Sequence, residues 1–318
     1  MKRLVTRLSR PFSAVLLGLL SATITTSAAN RVVTWGDLNY DLNTGSAGSS
    51  HVAQIASGSF HGLVLKRDWT VIAWGDNRFG QTDVPDALKR AMVRQVAAGN
   101  VHSLALLWTG KVVAWGPSSG QYGDYGQCNV PADLTRVVAV AAGALHSLAL
   151  KRDGTVVAWG DNTAGQCNVP PELSDVVAIA GGAYHSVALK RNGTVVTWGS
   201  NTQGQTNVPE GLSRVVAIAV AGNHNLALQR DGTVVSWGTF GLAQCPVPEG
   251  LTGVVAIATG DYHGLALKRN GTVVTWGFNT AGQCNIPTGV HTVAAIAAHG
   301  NHSTVLLNDR SSARWLRR

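Results

Sequence analysis

Charge is thin in this chain. Asp, Glu, Lys and Arg together make up 13% of its 318 residues, about half the usual share for a soluble domain. With 45% hydrophobic residues beside them, that scarcity excludes a disordered, charge-extended chain. Cysteine occurs four times and never as Cys-x-x-Cys. No His-Glu-x-x-His is present and no glycine-rich phosphate loop opens a helix, so zinc proteolysis and phosphoryl transfer have no support. No stretch carries an amphipathic helical pattern of useful length. Val, Thr and 37 glycines are abundant instead, which points to short strands and tight turns. The net charge of +8 falls to +4 once Lys2, Arg3, Arg7 and Arg10 are set aside with a leader. That modest excess does not indicate a nucleic-acid partner.

What the chain has is one sentence repeated. Residues 146–184 form a unit whose text restarts at His185. Trp35, Trp74, Trp115, Trp159, Trp198, Trp237 and Trp276 are each followed by Gly. From His61 through His102, His146, His185 and His224 to His263, each histidine stands 13 residues before the next of these tryptophans, and His302 follows in register. A 39-residue period marks stacked units, none of which buries its apolar face alone.

Each unit is expected to hold four short strands, for example residues 176–180, 185–190, 194–198 and a fourth around 205–209. Arg-Asn-Gly or Arg-Asp-Gly between the second and third is a strong hairpin signal. The expected fold is all-β, a seven-bladed β-propeller of four-stranded antiparallel blades. The chain enters at a third strand, 31–35, and leaves at a second, 302–307. The N- and C-terminal strands are therefore expected to share one blade, which removes two open sheet edges.

The organisation expected is a secretory signal peptide at 1–29, the propeller at 30–308 and a basic tail at 309–318. Four basic residues before the apolar run 14–20, then small residues at 27–29, carry the leader reading. That run is too short to span a bilayer as an ordinary helix. Export places the chain in the periplasm or outside a bacterial cell. Two units are longer than standard, by two residues between Trp74 and His102 and by five between Trp115 and His146. Insertions of this kind belong to surface loops.

The strings AAGALHSLALKRDGTVVAWGDNTAGQCNVP and AGGAYHSVALKRNGTVVTWGSNTQGQTNVP resemble repeats of the regulator of chromosome condensation family. The short period and Trp-Gly start look most like the secreted bacterial propellers of that family that inhibit β-lactamases. The resemblance covers residues 31–307. It implies a non-enzymatic propeller that binds another protein through the turn between first and second strands. At that turn Phe60, Tyr184 and Tyr262 keep the aromatic character, while Val101, Leu145, Asn223 and Asn301 stand in the other units.

The residues themselves sort by face. The turns from first to second and from third to fourth strand share one face of the disc. They collect every Phe and Tyr outside the leader: Tyr40, Phe60, Phe79, Tyr122 and Tyr125, then Tyr184, Phe240, Tyr262 and Phe278. Asp76, Asp161 and Asp261 join them, as do Asp37, Asp41 and Asp124. Aromatics at loop tips are the residues that dominate binding hot spots, so this aromatic and acidic face is the expected partner site. The opposite face gathers hairpin charges such as Lys66, Arg67, Lys151, Arg152, Lys190 and Arg191 and reads as a solvated basic ring.

The seven repeating histidines are separated by rotation about the axis, so three or four do not converge on one ion. Each is expected to start a strand and bond its own blade's backbone. Cys128, Cys167, Cys245 and Cys284 share one position with Thr82 and Thr206 and are expected to be free and structural, too far apart for a disulfide. No catalytic residue, metal or cofactor is assigned, and the chain is expected to be a monomer without nucleic acid. A carbohydrate or cell-envelope ligand on the same loops is the second reading. Guanine-nucleotide exchange or chromatin binding is the third, and the leader argues against it.

Overall fold

The repeat folds the way its local chemistry directs. Lys-Arg-Asp-Gly-Thr closes a tight hairpin between two Val-rich segments: Lys151 N–H bonds Thr155 O at 2.9 Å and Gly154 N–H bonds Lys151 O at 3.0 Å. Gly154 takes φ +84°, the left-handed region that a side chain disfavours. The computed structural model describes residues 31–37, 39, 42, 50–117, 120, 123–239 and 246–308. The leader, the tail, Tyr40, Tyr122, Phe240 and Cys245 lie outside the described residues.

Strand β1 (Arg31–Gly36) precedes six sequential three-stranded units. These are β2 (Val52–Ser57), β3 (His61–Lys66) and β4 (Val71–Gly75), then β5 (Val93–Ala98), β6 (Ser103–Leu107) and β7 (Val112–Trp115). The third is β8 (Val137–Ala142), β9 (His146–Lys151) and β10 (Val156–Gly160); the fourth is β11 (Val176–Gly181), β12 (His185–Lys190) and β13 (Val195–Gly199). The fifth is β14 (Val215–Ala221), β15 (His224–Gln229) and β16 (Val234–Trp237), and the sixth β17 (Val254–Thr259), β18 (His263–Lys268) and β19 (Val273–Gly277). Strands β20 (Val293–His299) and β21 (His302–Leu307) complete a seventh sheet in the order β1-β21-β20. In it Arg31 pairs with Leu307 and Gly36 with His302. All pairings are antiparallel, and the only helical segment given bounds among the described residues is a 3-10 turn at Asp86–Arg90.

The molecule is thus all-β, with seven three-stranded sheets consistent with a seven-bladed propeller. The first strands line the axis: each packs on the next, and β20 packs on β2. Three strands per sheet, not four, is a correction to the sequence expectation. The segment expected as the fourth strand is folded by turn chemistry instead. Around residue 204, Gly204 N–H bonds Asn201 O and Asn207 N–H bonds Gly204 O. The Asn201 carboxamide accepts Thr206 N–H at 3.0 Å and donates to Asn207 Oδ1 at 2.8 Å. Asn77, Asn162 and Asn279 repeat this bracket. With its polar groups satisfied locally and a proline at its end, the segment has little left to offer a ladder. Its tie to the third strand is a single bond in two blades, Thr197 Oγ1 to Thr206 O and Thr275 Oγ1 to Cys284 O, each 2.9 Å.

The core lies between sheets. Leu148, Leu150 and Val156 of the third unit meet Val176, Ile179, Ala188 and Trp198 of the fourth in one buried cluster, and each other seam repeats that arrangement. Val32 and Trp35 on β1 are buried in the same way, at 3% and 5% exposure. Removing residues 31–36 strips β21 of its neighbour and deletes two core side chains, each worth a few kcal/mol by the scale of core truncations. A melting temperature lower by ten degrees or more, with self-association in sedimentation, is the expected result. An unchanged, monomeric melt would contradict this role for β1.

Candidate functional site

The turn face is built on a buried polar latch that recurs at most seams. His61 Nε2 lies 2.9 Å from Ser103 Oγ in the next blade. Ser103 Oγ donates to the Gln81 carbonyl at 2.8 Å, and Trp115 Nε1–H donates to the same oxygen at 2.9 Å. Since the serine hydroxyl is spent on that carbonyl, it accepts from the imidazole N–H. The latch repeats through His102, Ser147, Gln127 and Trp159, and through His146, Ser186, Gln166 and Trp198. Asn225 takes the serine's place opposite His185. The histidines therefore bond the next blade's side chain and not their own blade's backbone, which corrects the expectation above. The Gln of the Gly-Gln motif, fully buried, was not singled out in the sequence, although it stands at the same register in nearly every unit.

The glycine three residues before each of these histidines is required by close approach. A Cβ on Gly58 would sit 2.5 Å from His61 Cε1 and 2.6 Å from Nδ1. The ring lies flat on the backbone there, and the residue just before the histidine is turned outward. That residue is Phe60 in the first unit and Tyr184 in the fourth.

Phe60, Tyr125, Tyr184 and Phe278 are exposed by 37 to 49%, and Tyr262 and Phe79 are half-buried. Backbone bonds join the two turns of a blade on one face: Asp76 N–H to Phe60 O at 2.8 Å, Ser200 N–H to Tyr184 O at 2.8 Å and Phe278 N–H to Tyr262 O at 2.9 Å. The Tyr262 and Phe278 rings meet edge to face, centroids 6.1 Å apart, and the Arg78 guanidinium lies 5.9 Å from the Phe79 ring centroid.

Two aspartates of the expected acidic surface are interior. Asp76 and Asp161 are each 4% exposed. Arg78 clasps Asp76 through Nε and Nη2 at 2.9 to 3.1 Å. Burial alone would raise that carboxyl, and the Arg78 bonds outweigh it and hold it below its usual range. Asp161 accepts from Thr163 N–H and Gln166 Nε2. These two aspartates brace their loops. Asp261 remains half-buried beside the axial channel, its Oδ1 3.9 Å from His299 Nδ1. Cys128, Cys167 and Cys284 form no disulfide, and the Cys167 and Cys284 thiols bond the carbonyls of Asp161 and Phe278. Burial, with a nearby Asp124 or Asp161, pushes Cys128 up to about 12 and Cys167 to about 11, so neither offers a thiolate near neutral pH.

Five segments of the chain, residues 52–81, 93–127, 137–166, 176–205 and 254–283, match the Regulator of chromosome condensation (RCC1) repeat. The chain carries RCC1 repeats. Prp20p from Saccharomyces cerevisiae, whose binding to Gsp1p and histones was characterised with its crystal structure, superposes with a TM-score of 0.72 at 20% identity, over 88% of this chain and 92% of that one. A chain in the structure of Kap60 bound to yeast RCC1 (Prp20) gives 0.73 at 20% identity, over 96% of both. Human WBSCR16 gives 0.69 at 21%, over 88% of this chain and 99% of that one. No curated protein sequence matches significantly. These are likenesses of fold. No helix among the described residues is long and apolar enough to cross a membrane.

The RCC1-repeat latch has a pH signature. Burial lowers His61, His102 and His302 to about 3 and His146, His185, His224 and His263 to about 4. Unfolded, each ring binds a proton below its ordinary value of about 6.5; folded, it does not until near 4. Stability is therefore whole above pH 6.5 and drains as the pH falls toward 4, by up to about 1.4 kcal/mol per pH unit for each ring. The melting temperature should be level from pH 8 to 7 and drop steeply between 6 and 4.5, with uptake of several protons on unfolding at pH 5. A flat profile down to pH 4.5 would show that the rings are not held neutral.

Proposed function

We propose that this chain is an exported, non-enzymatic protein-binding propeller whose partner docks on the aromatic turn face. The observation that carries the reading is the outward presentation of Phe60, Tyr125, Tyr184 and Phe278 from turns braced beneath by buried polar groups. Exposed aromatics on rigid turns lose little entropy on binding and supply most of an interface's energy. The RCC1-type likeness supports an interaction scaffold, and the basic start and apolar run of residues 1–29 support export. Chemistry is disfavoured because most of the buried imidazoles are committed to the latch and burial holds the Cys128 and Cys167 thiols protonated. Inhibition of an enzyme is one form such binding takes.

The partner is recovered by capture on the purified propeller from the secreted and envelope proteins of its own source. Replacing Phe60, Tyr184 and Phe278 together with Ala should then weaken that partner by several kcal/mol, on a hot-spot scale of about 2 kcal/mol or more per anchor. The melting temperature should barely change. Reversing the charge of Lys151, Arg152, Lys190 and Arg191 on the hairpin face should leave the affinity nearly as it was. If the triple variant binds normally while the charge reversal abolishes binding, the partner sits on the other face. Glycan-array binding with no captured protein would favour the carbohydrate reading.

A further inference from the structure

The hairpin face departs from its repeat at one place. Five hairpins put glycine at the same position, Gly110, Gly154, Gly193, Gly232 and Gly271, with φ between +83° and +91°. The first hairpin puts Trp69 there, at φ +68°, a conformation a large side chain adopts only against steric cost. Its indole is 45% exposed. In the second blade Trp108 stands where Arg152, Arg191, Arg230 and Arg269 stand in others, and it is 58% exposed. Neither tryptophan belongs to the seven that build the seams.

The ground between them is also specific to these two blades. The segment that carries the two-residue insertion holds the Asp86–Arg90 turn, pinned by buried Leu88. Asp68, Trp69, Thr70 and Val71 from the hairpin, with Val84, Leu88, Lys89 and Ala91 from the segment that carries the insertion, line a groove of about 140 Å³. Next in the chain comes Met92, 52% exposed, whose carbonyl accepts Trp108 N–H at 3.0 Å. The Arg94 guanidinium covers one face of Trp108 at 5.4 Å. Strained Trp69, the groove, Met92 and Trp108 thus form a continuous apolar strip.

Its rim is basic. Lys89 lines the groove and Arg94 lies over Trp108, and Lys66, Arg67, Arg90 and Lys111 stand within three residues of Trp69, Lys89 or Trp108 in the chain. The aspartates among them, Asp68 and Asp86, are already paired with Lys66 at 3.5 Å and Lys89 at 2.6 Å. We propose that this strip is a second docking site, taking an extended acidic peptide segment that seats one apolar side chain in the groove beside Trp69. Charge complementarity selects the occupant. The chain's own tail, with Arg310, Arg314, Arg317 and Arg318 against one Asp309, has the wrong sign. A groove this small, well under the few hundred Å³ of a ligand pocket, matches one side chain. Its aliphatic walls suit a Leu or Phe better than a sugar ring.

The repeat itself supplies the control. Trp69→Gly and Trp108→Arg restore what other blades carry at these positions, so the double variant should fold at least as well, melting at the same temperature or a few degrees higher. A bead-displayed library of random 12-residue peptides is sorted on the purified chain and counter-sorted on that variant. The proposal expects enriched peptides rich in Asp and Glu around one or two Leu or Phe. By fluorescence anisotropy they should bind the variant at least tenfold more weakly and lose affinity as salt rises. It is overturned if no peptide distinguishes the two proteins, or if the enriched peptides are neutral or basic. It is equally overturned if the tryptophan-dependent binding is instead to phosphatidylserine-containing vesicles, to dextran sulfate, or to a second copy of the chain in sedimentation.

Discussion

The carbonyl of a buried glutamine, taken at once by a serine hydroxyl and a tryptophan N–H of the next blade, is the contact on which the rest depends. Among the described residues neighbouring blades share no strand pairing; turn bonds such as Ser59 N–H to Gly99 O cross the seams, but most of the contact is apolar burial, which is non-directional. Leu148 or Ile179 would tolerate a small slide of one sheet over the next. A carbonyl with two donors aimed at it does not, because displacement leaves three buried polar groups unpaired, each at a cost of about 1–3 kcal/mol. The latch sets the register that the hydrophobic seam cannot.

The same device shapes the outer surface. Because the imidazole lies on a bare glycine Cα and reaches across the seam, the turn joining them has only its middle free. Phe60 and Tyr184 are thrown outward by that constraint, and Asp76 and Asp161 are drawn inward to brace the loops beside them. The interior uses polarity for alignment, which leaves the turn tips to aromatic side chains. Position within the turn, more than residue type, decides which groups meet solvent.

The blades were legible in the sequence because the 39-residue period and the Asp-Gly and Asn-Gly hairpins act locally. The placing of Phe60, Tyr184, Tyr262 and Phe278 in turns was legible for the same reason. The fourth strand misread because Val-Pro after Gly-Gln looks extended, whereas the asparagine four residues upstream of that glutamine, as at Asn162 and Asn201, captures the backbone first. The histidine's partner was hidden because it lies about 40 residues away in sequence, a distance that no local pattern reports. Trp69 and Trp108 were in plain view, off the tryptophan period, yet their meaning came only with the φ of the one and the exposure of both.

Two seams have glycine where the others have serine or asparagine. These are Gly62 and Gly264, and at each a tryptophan ring of the same blade, Trp74 or Trp276, fills the space that a Cβ would need. His224 turns instead to Thr259 in the next blade, 3.0 Å away. These seams divide the circle into an arc of five blades and an arc of two, with Tyr262, Phe278, Asp261 and His299 riding on the smaller. Breathing motions follow lines of weakest tie, so amide exchange would see not seven equivalent wedges but two leaves, hinged where glycine replaced serine.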